Sequence, residues 1–123
     1  MEVLVFRHAQ AVATAASDAD RELTAKGERQ ARLAGEFCRA HELVPGLILS
    51  SPIRRAIQSA ERFAAACGCG EAVVATPAFA CGAGPESFFD QLSSHRGCAR
   101  LMVVGHQPDL GGFLAAALGC SGG

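Results

Sequence analysis

The run Leu101-Met102-Val103-Val104-Gly105, leading straight into His106-Gln107-Pro108, decides how this chain folds. A short stretch that is almost wholly apolar, bounded by turn-forming residues, reads as a strand buried on both faces of a sheet. Three more β-prone runs precede it: Val3 to Phe6, Leu47 to Ser50 and Ala72 to Thr76. Helical patterns separate them, and alternating strands and helices specify an α/β domain with a mainly parallel sheet.

Helix one is expected from Thr24, whose hydroxyl can cap the first turn, to about His41, with Ala31, Ala34, Phe37 and Cys38 on one face. Helix two is expected from Ser51-Pro52, a capping side chain followed by the residue suited to the first helical position, to the stop at Gly68 and Gly70. Helix three should cover Pro85 to Ser93 with Phe88, Phe89 and Leu92 inward, and helix four should run from Pro108 to Leu118. Residues Ala9 to Glu22 have no clear period and read as a loop. Gly27, in the first turn of helix one, costs ~1 kcal/mol against Ala, which points to another backbone passing close to it.

With 123 residues, the chain has material for one core at ~100–200 residues per domain. Eleven basic residues against twelve acidic ones leave a formal charge of -1, so no overall field draws it to nucleic acid or an anionic membrane. No apolar run reaches the ~18 residues that span a bilayer, and the chain reads as cytoplasmic. The six cysteines, at 38, 67, 69, 81, 98 and 120, are expected as buried thiols. Their spacing does not match a zinc site, and neither metal nor cofactor is expected.

In an open parallel sheet, ligands bind beyond the carboxyl ends of the strands. Strand one runs there into Arg7-His8, strand two into Ser50-Ser51-Pro52 and Arg54-Arg55, and strand four into Gly105-His106. A single histidine after a strand is more often structural than functional. Two histidines and up to three arginines at three strand ends define a site for a tetrahedral oxyanion, because guanidinium forks match phosphate oxygens. A neutral imidazole is also a competent phosphoryl acceptor near pH 7. No Walker loop accompanies these residues, so triphosphate chemistry of that kind is not supported.

Leu4-Val5-Phe6-Arg7-His8-Ala9 resembles the strand-Arg-His-Gly signature of the histidine phosphatase superfamily. Leu23-Thr24-Ala25-Lys26-Gly27-Glu28-Arg29-Gln30-Ala31 is similar to the opening of that family's first helix, and Ser50-Ser51-Pro52-Ile53-Arg54-Arg55-Ala56-Ile57-Gln58-Ser59 to its Ser-Pro-x-x-Arg-Ala-x-Gln-Thr segment. Val103-Val104-Gly105-His106-Gln107-Pro108-Asp109 resembles the second-histidine motif. The short length and the Asp20 to Thr24 opening point to the small branch, the SixA-type phosphohistidine phosphatases.

The resemblance implies a three-layer, phosphoglycerate mutase-like sandwich with His8 as nucleophile, Arg7, Arg55 and His106 gripping the phosphoryl group, Ser51 on the substrate side and no metal. Adjacent helical residues point ~100° apart, so Arg55 is chosen for the pocket and Arg54 for solvent. Ala9 stands where the family usually has Gly, and activity is expected to survive the extra methyl. Larger relatives carry an acidic proton donor after strand three; here Glu86 falls near that point and reads as a first-turn helix residue. Relatives also continue into a further strand, so the single domain expected over 1–123 lacks it. The implied activity is dephosphorylation of a phosphohistidine protein, such as a phosphotransfer domain. The alternatives are a small-molecule phosphomonoesterase or an inactive phosphate-binding module.

Overall fold

A computed structural model describes residues 2–106 apart from 14, 70, 71, 81 and 83, so the expected helix 108–118 and Cys81 and Cys120 lie outside the described residues. Four strands, β1 (Glu2–Arg7), β2 (Leu47–Ser50), β3 (Val73–Ala75) and β4 (Arg100–Gly105), form one parallel sheet in the order β1-β4-β2-β3. Helices α1 (Ala25–Ala40) and α2 (Arg54–Cys67) cover one face. The other face carries α3 (Pro85–Ser94) and a 3-10 turn over Pro77–Phe79. The three-layer α/β architecture expected from the sequence is therefore present.

Each face of the sheet seals a separate half of the core. Ile48, Met102 and Val104 point toward α2 and meet Ala56, Ala60, Phe63 and Ala64. Leu49, Leu101 and Val103, one residue out of phase, meet Phe79 and Phe88. This period-two division is why β4 is apolar along its length: it lies between β1 and β2 and has no solvent face.

Helix α1 starts as expected, with the Thr24 hydroxyl accepting from the Gly27 amide at 3.0 Å. Its buried ridge is Gly27, Ala31 and Gly35, four residues apart, flanked by half-buried Ala34 and Cys38. Phe37, expected inward, is 57% exposed and lies against His41, with ring centroids 4.1 Å apart. It sits ~200° round the helix from Gly35, on the side away from α2. A β-carbon on Gly27 would run into the carbonyl of Gln10, the close backbone approach its cost implied.

Two further expectations change. Helix α2 begins at Arg54 rather than at Ser51-Pro52: Ile53 is the extended N-cap residue (φ -77°, ψ 154°), and the Ser51 hydroxyl is engaged elsewhere. The Ala9 to Glu22 loop contains a 3-10 turn over Asp18–Asp20 and an antiparallel bridge between Ala11 and Leu23. Of the described cysteines only Cys67 is fully buried, and burial pushes its thiol up to about 11; Cys38, Cys69 and Cys98 are half-buried, and all four are free thiols.

The Gly35 position tests the ridge, because a β-carbon there would strike the Phe63 carbonyl and crowd the Ala66 methyl at 2.9 Å. Gly35→Ala should lose about 1–3 kcal/mol by overpacking, read as a lower urea midpoint, even though Ala is the better helix former.

Candidate active site

The sheet register builds the site. Arg7 pairs with Gly105, and the His8 amide donates to the Gly105 carbonyl at 3.0 Å, so His8 comes beside His106 across adjacent strand ends. Their rings lie 5.2 Å apart, centroid to centroid. The Ser51 amide donates to Val104 on the other side of β4, carrying Ser51 to the same edge. The Ser51 hydroxyl meets His106 Nε2 at 2.7 Å, and both residues are buried. This contact takes the hydroxyl that the sequence suggested for a helix cap.

The tautomer of His8 follows from its partners. Its Nδ1 lies 2.8 Å from the carbonyl oxygen of Ala9, which only accepts, so Nδ1 carries the proton. Arg55 Nε, which only donates, faces His8 Nε2 at 3.3 Å, so Nε2 offers its lone pair. The His8 ring is held below the ordinary value of 6.5, mainly by burial; the Ala9 carbonyl opposes this, and the charges of Arg55, Arg7 and Arg21 add to it. The result is a neutral imidazole whose unprotonated nitrogen faces Arg55.

Arg55, in the first turn of α2, is 5% exposed. Besides His8 it donates through Nη1 to the Asp18 carbonyl at 2.8 Å and through Nη2 to the Asp18 carboxylate at 3.1 Å. Arg54, one residue earlier, is exposed and pairs with Glu22 at 3.0 Å, so helix geometry separates the two arginines as expected. Arg7 ends β1, is exposed, and has no ion-pair partner among the described residues. Arg7, His8, Ala9, Gln10, Arg21 and Gln30 help to line a cleft of about 480 Å³.

The Ala9 to Glu22 strap adds Arg21, which the sequence did not mark. Arg21 donates through Nε to the Val12 carbonyl at 2.7 Å and bridges to the other Asp18 oxygen at 3.1 Å. Hydrogen bonds from Arg21 and Arg55 hold the Asp18 carboxyl below the usual carboxylate range, so it is ionised and unsuited to donate a proton. Ser59 is the other missed residue: its hydroxyl donates to the Arg55 carbonyl at 2.7 Å and accepts from the Ala9 amide at 2.9 Å. Its signal was available, since a residue four after Arg55 lies on the same helix face. Gln58 accepts from the Leu23 amide at 2.9 Å and ties the strap's end to α2. Ala9 itself is buried and has no positive φ, so the residue that replaces the usual Gly sits without backbone strain. Glu86 lies in the first turn of α3 and is exposed, consistent with a helix-terminal role. Among the described residues, no three His, Cys, Asp or Glu side chains gather to hold a metal ion.

A strand-borne Arg-His pair, a second histidine beside it and a buried arginine on the following helix gather at one edge the side chains suited to hold a tetrahedral oxyanion. A family model of the histidine phosphatase superfamily (branch 1) matches residues 3–80. The chain is 32% identical to phosphohistidine phosphatase SixA of Escherichia coli K12, across 99% of this chain and 76% of that protein. It is 37% identical to an uncharacterised protein of Picosynechococcus, across 94% of this chain and 72% of the relative. A solved structure of the protein histidine phosphatase SixA complexed with tungstate superposes with a TM-score of 0.85 at 27% identity, covering 94% of this chain and 75% of that one. The chain belongs to the histidine phosphatase superfamily and is a phosphatase of that family.

The state of His8 is directly measurable. In a titration of the ring by NMR, its midpoint should fall below 6.5, because the folded site resists protonation. The sign for stability follows: the unfolded chain takes up this proton more readily, so His8 leaves stability unaffected above 6.5 and lowers it as pH falls below that value. Arg55→Ala should move the ring midpoint upward by removing a nearby positive charge.

Proposed function

We propose that this chain removes phosphate from phosphohistidine in a protein, through a covalent phosphohistidine intermediate on His8. The observation that carries the proposal is the fixed neutral tautomer of His8, with Nε2 as the free base of the ring and Arg55 beside it. Nε2 attacks phosphorus while the bond from phosphorus to the substrate imidazole breaks. That imidazole leaves neutral when its other ring nitrogen is protonated. Water then attacks the phosphoenzyme and releases inorganic phosphate.

Arg55 and exposed Arg7 are assigned to the phosphoryl oxygens, where forked donors stabilise charge that develops in the transition state. His106, held by Ser51, is assigned to the opposite side of the same group, within reach of His8 across the paired strand ends. Phosphoryl transfer of this kind depends on positioning and charge more than on acid catalysis. The ionised state of Asp18 supports the choice of substrate, because an alkoxide leaving group needs an acid and a protonated imidazole does not. The likeness to the E. coli phosphohistidine phosphatase supports the same choice. Four free thiols support action in the reducing cytoplasm.

Kinetics separate the paired arginines. Arg55→Ala should cost ~2–4 kcal/mol of transition-state stabilisation, as for loss of a preorganised charged donor, and Arg54→Ala within ~0.5 kcal/mol. The reverse order in kcat/KM would overturn the assignment.

Comparing a phosphohistidine protein with an alkyl phosphate under identical conditions tests the substrate. Preference for phosphohistidine should reach at least ~100-fold in kcat/KM, the low end of what a general acid contributes. Equal rates would favour a small-molecule phosphomonoesterase. Acid-labile phosphate should be trapped on the parent and not on His8→Ala; turnover by that variant within tenfold of the parent would exclude the covalent route.

A further inference from the structure

Beside the cleft lies a second concavity of about 610 Å³, between the strap and the start of α2. Its lining includes half-buried Ile53 and Ile57 with exposed Pro52, and three carboxylates, Asp20, Glu22 and Glu61, stand around it. Arg54 is the one cation in the lining and is paired with Glu22, which leaves a formal excess of two negative charges (three carboxylates, one guanidinium). The groove and the active site share walls: Asp18, bound to Arg55, is followed by Ala19 and Asp20 of the groove, and Ser51, bound to His106, is followed by Pro52.

The two neighbouring surfaces have opposite character. The cleft presents Arg7 and Arg21, with buried Arg55 behind the strap, and suits a phosphoryl group. The groove is apolar within and acidic around, and repels a simple phosphate ester. A ligand satisfying both must carry a phosphoryl group next to an aliphatic side chain and a Lys or Arg. A protein surface provides that combination, and a sugar phosphate does not.

We propose that this groove docks the surface of the phosphohistidine protein next to its phosphorylated histidine, an aliphatic residue seating on Ile53 and Ile57 and a basic residue facing Asp20 and Glu61. The proposal rests on the phosphohistidine reading of the catalytic site and extends it to how the protein substrate is chosen. Complementary charge at such a rim acts mainly on encounter and KM, and salt screens it. The chemical step on a substrate too small to reach the groove is left alone.

Glu61 offers a clean probe, being exposed on α2 and outside the catalytic cleft. Parent and Glu61→Lys are compared on a phosphohistidine-bearing phosphotransfer domain and on para-nitrophenyl phosphate, with thermal unfolding to check the fold. The expected result is a KM for the protein substrate raised roughly three- to tenfold, the scale of reversing one exposed ion pair, with kcat retained and kcat/KM for the aryl phosphate within twofold. Salt should raise the parent's KM for the protein and affect the variant's less. An unchanged KM in a folded variant, while the parent dephosphorylates the protein, overturns the docking groove and leaves the catalytic reading intact. A parent that hydrolyses the aryl phosphate and not the phosphoprotein overturns the substrate reading, and the groove with it.

Discussion

The position of β4 inside the sheet is the constraint on which the site depends. Parallel pairing with β1 on one side and β2 on the other brings three strand ends to one edge, and backbone bonds from the His8 and Ser51 amides continue the ladders past the strands. Nothing about His8, Ser51 or His106 as separate side chains would bring them together, since Ser51 follows His8 by 43 positions and His106 follows Ser51 by 55. Register does so, because a slip of one residue would reverse the face of every side chain and empty the two half-cores. The hydrophobic pattern of β4 therefore holds the geometry of this strand-end cluster as well as the core.

Arg55 is the polar counterpart of that ladder. A buried guanidinium is costly unless its donors are satisfied, and here three of them reach His8, the Asp18 carbonyl and the Asp18 carboxylate. The Arg55 charge adds to burial, the main cause, in holding the His8 ring below its ordinary value, and the Asp18 contacts tie the strap to the mouth of the site. Asp18, 66% exposed at its side chain, is held below the usual carboxylate range because Arg21 and Arg55 both bond to it. Ser59, one turn along α2, fixes the backbone of Ala9 and completes the link between strand one and helix two.

Charge is distributed unevenly around this edge of the molecule. The formal charge of the chain is only -1, yet arginines collect at the cleft and carboxylates at the neighbouring groove. Local segregation of this kind lets a nearly neutral protein favour a ligand that is itself segregated, with phosphate beside a basic side chain.

By itself the sequence determined most of the elements: four β-prone runs, a Thr24 cap, histidines and arginines placed just after strands, and motifs that resemble those of the family. These are legible because strand burial, capping and strand-end ligand binding depend on residues close together in the chain. Tertiary structure decided what depends on partners far away. It placed Ser51 on His106 instead of at a helix cap, turned Phe37 outward because two small glycines bring α1 close to its neighbours, and set Asp18 and Arg21 against Arg55. A hydroxyl, an aromatic ring or a carboxylate has several possible partners in the sequence, and only the packed backbone selects among them.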